Sequence, residues 1–390
     1  MSRVATRRLA YVLVGFVAVV ARWIFVDLES IDYVAFLSGW WAYIDQHGHL
    51  AALRDAGFSN YNTPYLVLLA VATYFPVRAI VAIKTISIVF DILLAVVASR
   101  LVAAVRPGST RLPLVTFAVV CFLPTAMMDS GVWGQCDSIY ATFCALSLLA
   151  LVRGRPWAAS AWFGVAFAFK LQALFLLPVL VGVLLVNRLK KRSLLAAPAT
   201  FLACLVPAMI AGRSLISQIS VYPSQVGNPS GVGQATAAQN STLTHNAPTP
   251  YAWLPSSTVL LYAGLALVTL VVLGFGVWLL LRKRTLSPGE VVLVAATAAL
   301  LIPLLLPHMH ERYFYLAEVL LVVACAVDRR FVVAVVAMQV ANTSTYLTFL
   351  AGIQLMPLAV AAVFAVAAGA AATWSLVSDL RVSSQQEAVS

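Results

Sequence analysis

The chain has 390 residues, of which 62% are hydrophobic and only 10% charged, with a mean hydropathy of +0.95. A soluble domain is about 45–50% apolar and about 25% charged, so this composition excludes a soluble domain and selects an integral membrane protein. The net charge of +11 does not indicate nucleic acid, because the basic residues sit in short clusters between apolar runs, the pattern that sets orientation in a bilayer.

The opening stretch, MSRVATRRLAYVLVGFVAVVARWIF, puts a basic segment before a long apolar run with no small-residue cleavage site. It predicts a retained first helix and not a signal peptide. Spanning helices need about 20 apolar residues, and these runs lack the roughly 10-residue alternation of barrel strands. The predicted spans are 9–27, 79–101, 113–129, 138–152, 157–171, 172–187, 193–212, 258–281, 289–307, 313–327, 331–350 and 355–378. The expected fold is therefore all-α and polytopic, with about twelve transmembrane helices in a single membrane domain over 1–390. Two long external loops are expected, 28–78 and 213–257. The run TPYLVLLAVATYFP at 63–76 is short for a span and reads as re-entrant or interfacial. The second loop is rich in Gly, Pro, Ser, Asn and Thr and has no hydrophobic period.

With these spans, 18 of the 25 Lys and Arg fall on one face, in clusters such as Arg188–Arg192 and Arg282–Arg284. The positive-inside rule makes that face cytoplasmic and puts both termini there. All five His (His47, His49, His245, His308, His310) and the acids Asp27, Glu29, Asp32, Asp45, Asp55, Asp129, Asp137 and Glu311 fall on the other face. Of the five cysteines, Cys121, Cys144, Cys204 and Cys325 read as small hydrophobes. Cys136 stands in a polar loop where a thiol is open to reaction, although nothing around it would activate it.

Three constellations gather on the external face. VDLESIDYVAF (26–36) carries Asp27, Glu29 and Asp32 where the first span ends. A carboxylate at a dry rim serves as a base; equally, acids and Ser30 suit a helix start, with Ser30 as its cap. DSGVWGQCDSIY (129–140) places Trp133, Gln135 and Asp137 at the mouth, or Asp137 or Ser138 as a helix cap. HMHERYFY (308–315) is expected to open a helix. There Arg312, His308 and His310 suit a phosphate, while interfacial anchoring explains the same residue types. On a helix His308 and His310 point apart, and His-x-His-Glu is not a metalloprotease motif. Four ionisable residues fall inside spans: Arg22, Lys84, Asp91 and Lys170. Each costs about 2.5–3.5 kcal/mol at a helix centre and so calls for a partner. Lys84 and Asp91 share a helix face but stand about 10 Å apart along it. Lys170, near the outer end of its helix, reaches either a phosphate or a structural ion pair.

The order SIDYVAF, NYNTPYLVLLA, IKTISIVFD, GQCDSIYA and FKLQALFLLP resembles the GT-C glycosyltransferases over roughly residues 20–190. These are multispanning enzymes that use a polyprenyl-phosphate sugar. The likeness is to the catalytic subunit of GPI mannosyltransferase I and, more loosely, to the dolichyl-phosphate-glucose glucosyltransferases, which also carry a late His-Glu motif like HMHERYFY. The family's Asp-x-Asp-Tyr reads Ser30-Ile31-Asp32-Tyr33 here, so Ser30 replaces the first acid and Glu29 or Asp27 would have to compensate.

The resemblance implies an inverting transfer, mannose being the first expectation, to an acceptor hydroxyl at the outer face. The acceptor would be a glycan or a lipid-linked molecule. Asp32 would be the base and Asp137 would orient the acceptor or the active site. Arg312, His310, His308 and Lys170 would hold the donor phosphate, with Glu311, Gln135, Glu29, Asp27, Lys84 and Tyr33 in support. No cofactor or metal is required, although Asp27, Glu29, Asp32 and Asp137 together would offer hard oxygen ligands to a divalent cation. An Ala/Val-rich chain with few Lys suits a high-GC bacterium, hence a multi-pass plasma-membrane protein with an extracytoplasmic site. The rival reading is a transporter or flippase, which needs its acids at midplane and commonly shows repeats. No repeat is evident, and the acids collect at one surface.

Overall fold

The computed structural model describes residues 3–227, 243–282 and 284–389, and in it the apolar runs form helices. Residues 228–242 of the second predicted loop and Lys283 of the basic cluster lie outside the described residues. In chain order the helices are α1 (Arg3–Trp23), α2 (Ser38–Gln46), α3 (Thr63–Ala72), α4 (Ala79–Val105), α5 (Leu112–Cys121), α6 (Pro124–Met127), α7 (Asp137–Val152), α8 (Pro156–Phe169) and α9 (Leu177–Val186). They continue as α10 (Ala196–Ile210), α11 (Leu215–Ile219), α12 (Val221–Gly227), α13 (Thr258–Leu281), α14 (Pro288–Leu305), α15 (Tyr315–Cys325), α16 (Phe331–Ala351) and α17 (Leu358–Val389).

Every predicted span has helix at its position, but fewer are complete. Among the described residues six helical stretches are long and apolar enough to cross a membrane, or seven if the bent pair Leu112–Cys121 and Pro124–Trp133 counts as one. The pair bends by 50°, where Pro124 opens the second piece and removes a backbone donor. Helices α7, α8, α9 and α15 are short. At 1.5 Å per residue they extend about 15–24 Å, less than the roughly 30 Å of hydrocarbon. Two of them are inner elements: α7 and α15 bury nearly every residue. Helix α13 instead exposes Val259, Leu270, Leu273 and Leu281, as a lipid-facing helix does. The local chemistry is conventional where it can be checked. Ser287-Pro288-Gly289-Glu290 starts α14 with a full capping box and proline in the first turn.

The first long loop is largely helical. A π-helical turn (Tyr33–Leu37), α2, a 3₁₀ turn (His49–Arg54) and α3 pack into one apolar cluster with Trp40, Trp41, Ile44, Tyr65 and Leu66. The run 63–76 thus ends as a ten-residue helix that spans nothing by itself. The second loop is ordered at both described ends. It carries α11, α12, a 3₁₀ turn (Pro250–Trp253) and a two-residue strand, β1 (Thr244–His245), paired in parallel with β2 (Met309–His310). HMHERYFY therefore does not open as a helix. It runs strand, 3₁₀ turn (Glu311–Phe314), then α15.

Candidate functional site

Asp32 is placed by its neighbours. Ser30 Oγ accepts the Tyr33 N–H at 3.1 Å, so Ser30 does cap this helix start, and it donates to the Trp133 carbonyl at 2.7 Å. This staples the segment after α1 to the π-helical turn Met128–Trp133 that follows α6. Gly134 then turns the chain with φ 78°, a left-handed conformation that glycine adopts freely. The turn lets Trp133 and Gln135 face the same carboxylate. Asp32 Oδ2 accepts from Trp133 Nε1 at 2.9 Å, Gln135 Nε2 at 2.5 Å and Arg312 Nη1 at 3.1 Å. Three donors occupy one oxygen. The other, Oδ1, accepts no hydrogen bond from the described residues, and the side chain is 17% exposed.

Trp133 is the hub. Its ring is fully buried, lies 4.6 Å from Phe349 and meets Tyr346 edge-on at 5.4 Å. The Arg312 guanidinium sits 5.2 Å from its centre, within cation–π range. Tyr346 in turn donates to Asp129 Oδ1 at 3.2 Å. Arg312 Nε is buried with no protein partner.

Lys170 and Asp137 are brought together at 2.7 Å, with side chains 9% and 0% exposed. Lys170 occupies the break after α8, in extended conformation, so its ammonium leaves the helix axis and reaches the first turn of α7. Neither Asp137 nor Ser138 caps α7. Cys136 holds that position, Asp137 pairs with Lys170, and Ser138 Oγ donates to the Ser87 carbonyl on α4. The Cys136 thiol is buried against Tyr61 Oη at 3.5 Å, and burial pushes it up. That disfavours the thiolate and the reactive reading.

The β1–β2 pair adds a residue whose part in the site the sequence does not show. His308, just before β2, and His310, within it, both meet His245 and so do not point apart as on a helix. The His245 ring stacks on His308 at 5.5 Å and on His310 at 5.0 Å. The His310 ring meets Tyr313 edge-on at 5.3 Å, and Tyr313 lies 5.8 Å from the Arg312 guanidinium. Burial, then the charges of Arg312, His245 and Lys170, hold His310 well below the usual imidazole range. Burial and His308 lower His245. Glu311 is fully buried with Arg312 and Asn246 beside its carboxyl, and burial pushes it up to about 7. His308 and Asn246 are both left-handed, at φ 59° and 61°, uncommon for residues with a Cβ.

Other sequence candidates lie elsewhere. Asp27 pairs with Arg78 at 2.6 Å on the surface, both two-thirds exposed. Glu29 is exposed. Lys84 donates to the carbonyls of Phe25 and Leu28, at 2.7 and 2.6 Å, and ties down the end of the first span. Tyr33 opens the π-helical turn, with its backbone on Ser30. Asp27, Glu29, Asp32 and Asp137 do not gather as a cation site, each having gone to its own partner or to solvent. Among the described residues no group of three His, Cys, Asp or Glu has the geometry to hold a metal ion.

The in-span ions have fixed partners. Arg22 donates to Asp91 at 2.8 Å, and Asp91 also accepts from Ser130 and from Tyr315, the latter at 2.6 Å. Glu318, an in-span acid the sequence reading passed over, accepts from Thr125 at 2.7 Å and Asn342 at 3.0 Å.

Residues 58–307 match Glycosyltransferase family 87. Among solved structures, the chain aligns with the crystal structure of ArnT from Cupriavidus metallidurans bound to undecaprenyl phosphate. The TM-score is 0.48 at 15% identity, covering 94% of this chain and 76% of that one. No curated protein matches the chain.

Proposed function

The chain belongs to glycosyltransferase family 87, and from that premise we propose that it moves a sugar from a polyprenyl-phosphate donor to an acceptor hydroxyl, with inversion, at the extracytoplasmic face of the plasma membrane. Asp32 is the base. The observation that carries this reading is its asymmetry: Oδ2 is held by Trp133, Gln135 and Arg312, while Oδ1 is left to take the acceptor's proton. The fixed donors keep that oxygen aimed, which is how orientation lowers a barrier.

The leaving group is a lipid phosphate, an anion that needs donors and positive charge more than an acid. Arg312 supplies both, with its Nε unpartnered; His310 lies within two ring contacts of it, and Lys170 stands by on Asp137. The lipid has a path. An apolar cavity of about 160 Å³ between α9, α13, α14 and α17 is lined by Pro178, Val183, Phe275, Leu279, Ile302 and Leu305. Ile302 and Leu305 share an apolar cluster with Met309, next to His308 and His310 in the chain, and with Tyr313, whose ring meets His310. Mannose is the first sugar to test, by the sequence resemblance.

The test supplies reconstituted protein and a membrane extract with mannose radiolabelled either on a polyprenyl phosphate or on a nucleotide. Transfer from the lipid donor alone is expected, and other sugars are run if mannose is inert. Transfer from the nucleotide donor alone would overturn the lipid-donor reading. The acids a transporter would use, Asp91 and Glu318, are locked to partners and favour no second reading.

A further inference from the structure

The reaction changes the charge it must hold. In the donor the phosphate is a diester with one negative charge. The acceptor oxygen bonds to the anomeric carbon, and the carbon–oxygen bond to phosphate breaks with its electron pair going to phosphate. The hydroxyl proton passes to Asp32. The products are a glycoside, a lipid phosphate monoester with two negative charges above its second pKa of about 6, and that one proton. The site must therefore accommodate a dianion that was not there at the start.

The fixed cations do not change between the two states, since Arg312 is on Asp32 and Lys170 on Asp137. The histidine stack can change. The His245 ring stacks on both His308, at 5.5 Å, and His310, at 5.0 Å, His308 Nδ1 is buried with no partner, and β1–β2 pairing ties the second external loop to the segment that carries Arg312. Like charges on rings this close disfavour each other; Arg312 and Lys170 act on His310, Tyr313 meets its ring, and Glu311 and Asp32 lie beside Arg312. In the resting site burial and the neighbouring charges hold His310 and His245 neutral. A dianion seated against Arg312 reverses that balance.

We propose that the His245–His308–His310 stack is the proton-accepting counter-charge for the phosphate monoester product. It takes up one proton as the second negative charge appears and gives it back when the lipid phosphate leaves. His245 is the member in ring contact with both His308 and His310. This inference rests on the lipid-phosphate reading above.

Calorimetric binding to the full-length protein in detergent, in two buffers of different ionisation enthalpy, counts the protons taken up. The ligands are farnesyl phosphate, a monoester, and farnesyl methyl phosphate, a diester, both at pH 7.5. Uptake approaching one proton per monoester and near none per diester is expected. His245→Phe, which keeps a ring but not a base, should cut the monoester's uptake at least twofold; His308→Asn, which tolerates the left-handed backbone, serves as the second variant. Equal uptake for both ligands, or uptake unchanged in both variants, would overturn the stack's role and leave the transferase reading standing. Binding of neither ligand contradicts both.

Discussion

At the residue scale, the site depends on one indole. Trp133 touches Asp32, the proposed base, through its N–H and the Arg312 guanidinium through its face, so the two contacts can be separated. Trp133→Phe removes the donor and keeps a ring beneath Arg312. A hydrogen bond to a charged group is worth about 1.5–3 kcal/mol, which sets the expected fall in kcat at about 10- to 100-fold, with the donor KM nearly unchanged. A purely structural fault would instead reduce the amount of folded protein and leave the kcat of the folded fraction intact.

Glu311 carries a stability signal. A carboxyl raised to about 7 holds its proton in the folded chain between about 4.5 and 7, where the unfolded chain has lost it. Its contribution is therefore fully present below about 4.5 and is lost as pH rises through 7. Glu311→Gln mimics the protonated form. The variant is expected to melt close to the wild type at pH 5 and to be more stable by up to about 3 kcal/mol at pH 8; a difference that does not change with pH would show that Glu311 stays ionised.

Asp32, Gln135, Asp137 and Arg312 were legible as candidates because each is polar at the end of a long apolar run, where membrane proteins keep few polar groups without use. His245 was not legible as a site member. It sits in a stretch with no hydrophobic period, and only pairing with residues 65 positions away, Thr244 on Met309 and His245 on His310, brings it in.

At the element scale, breaks in helices do most of the positioning. The 50° bend after α5 and the turn at Gly134 deliver Trp133 and Gln135; the break after α8 delivers Lys170. The buried Lys170–Asp137 pair locks that break to α7. Removing one partner of a buried pair leaves an uncompensated charge and costs about 3–5 kcal/mol. Asp137→Asn should therefore be strongly destabilising, and adding Lys170→Gln should recover at least half of the loss. The coupling is read from a double-mutant cycle in thermal melts; additive losses would mean that the two side chains do not depend on each other. Proline marks some of these interruptions in the sequence, but the partners do not, since contact across helices leaves no local pattern. The same gap explains Lys84 and Asp91. Their spacing showed that they do not meet each other, and only the packed bundle shows that one holds the backbone after α1 and the other holds Arg22.

At the scale of the whole molecule, hydropathy located the helices well and complete spans poorly. Hydropathy reports length of apolar chain, and α7 and α15 are apolar largely because they are buried in protein. Loop 28–78 holds more structure than its expected place outside the membrane suggests. Its helices are short, yet they build a second apolar cluster around Trp40, Trp41 and Tyr65 that includes Cys136. The result is a polar cluster on an apolar frame, with Asp32, Arg312 and the three imidazoles grouped together and a separate apolar cavity between α9, α13, α14 and α17. The central claim is that Asp32 performs the proton abstraction there. The most direct test compares single-turnover transfer from polyprenyl-phosphate sugar by the wild type and by Asp32→Asn, with donor binding measured on the same samples. The account predicts donor binding within a few-fold of the wild type and a transfer rate lower by at least about 100-fold; transfer at the wild-type rate by Asp32→Asn would contradict it.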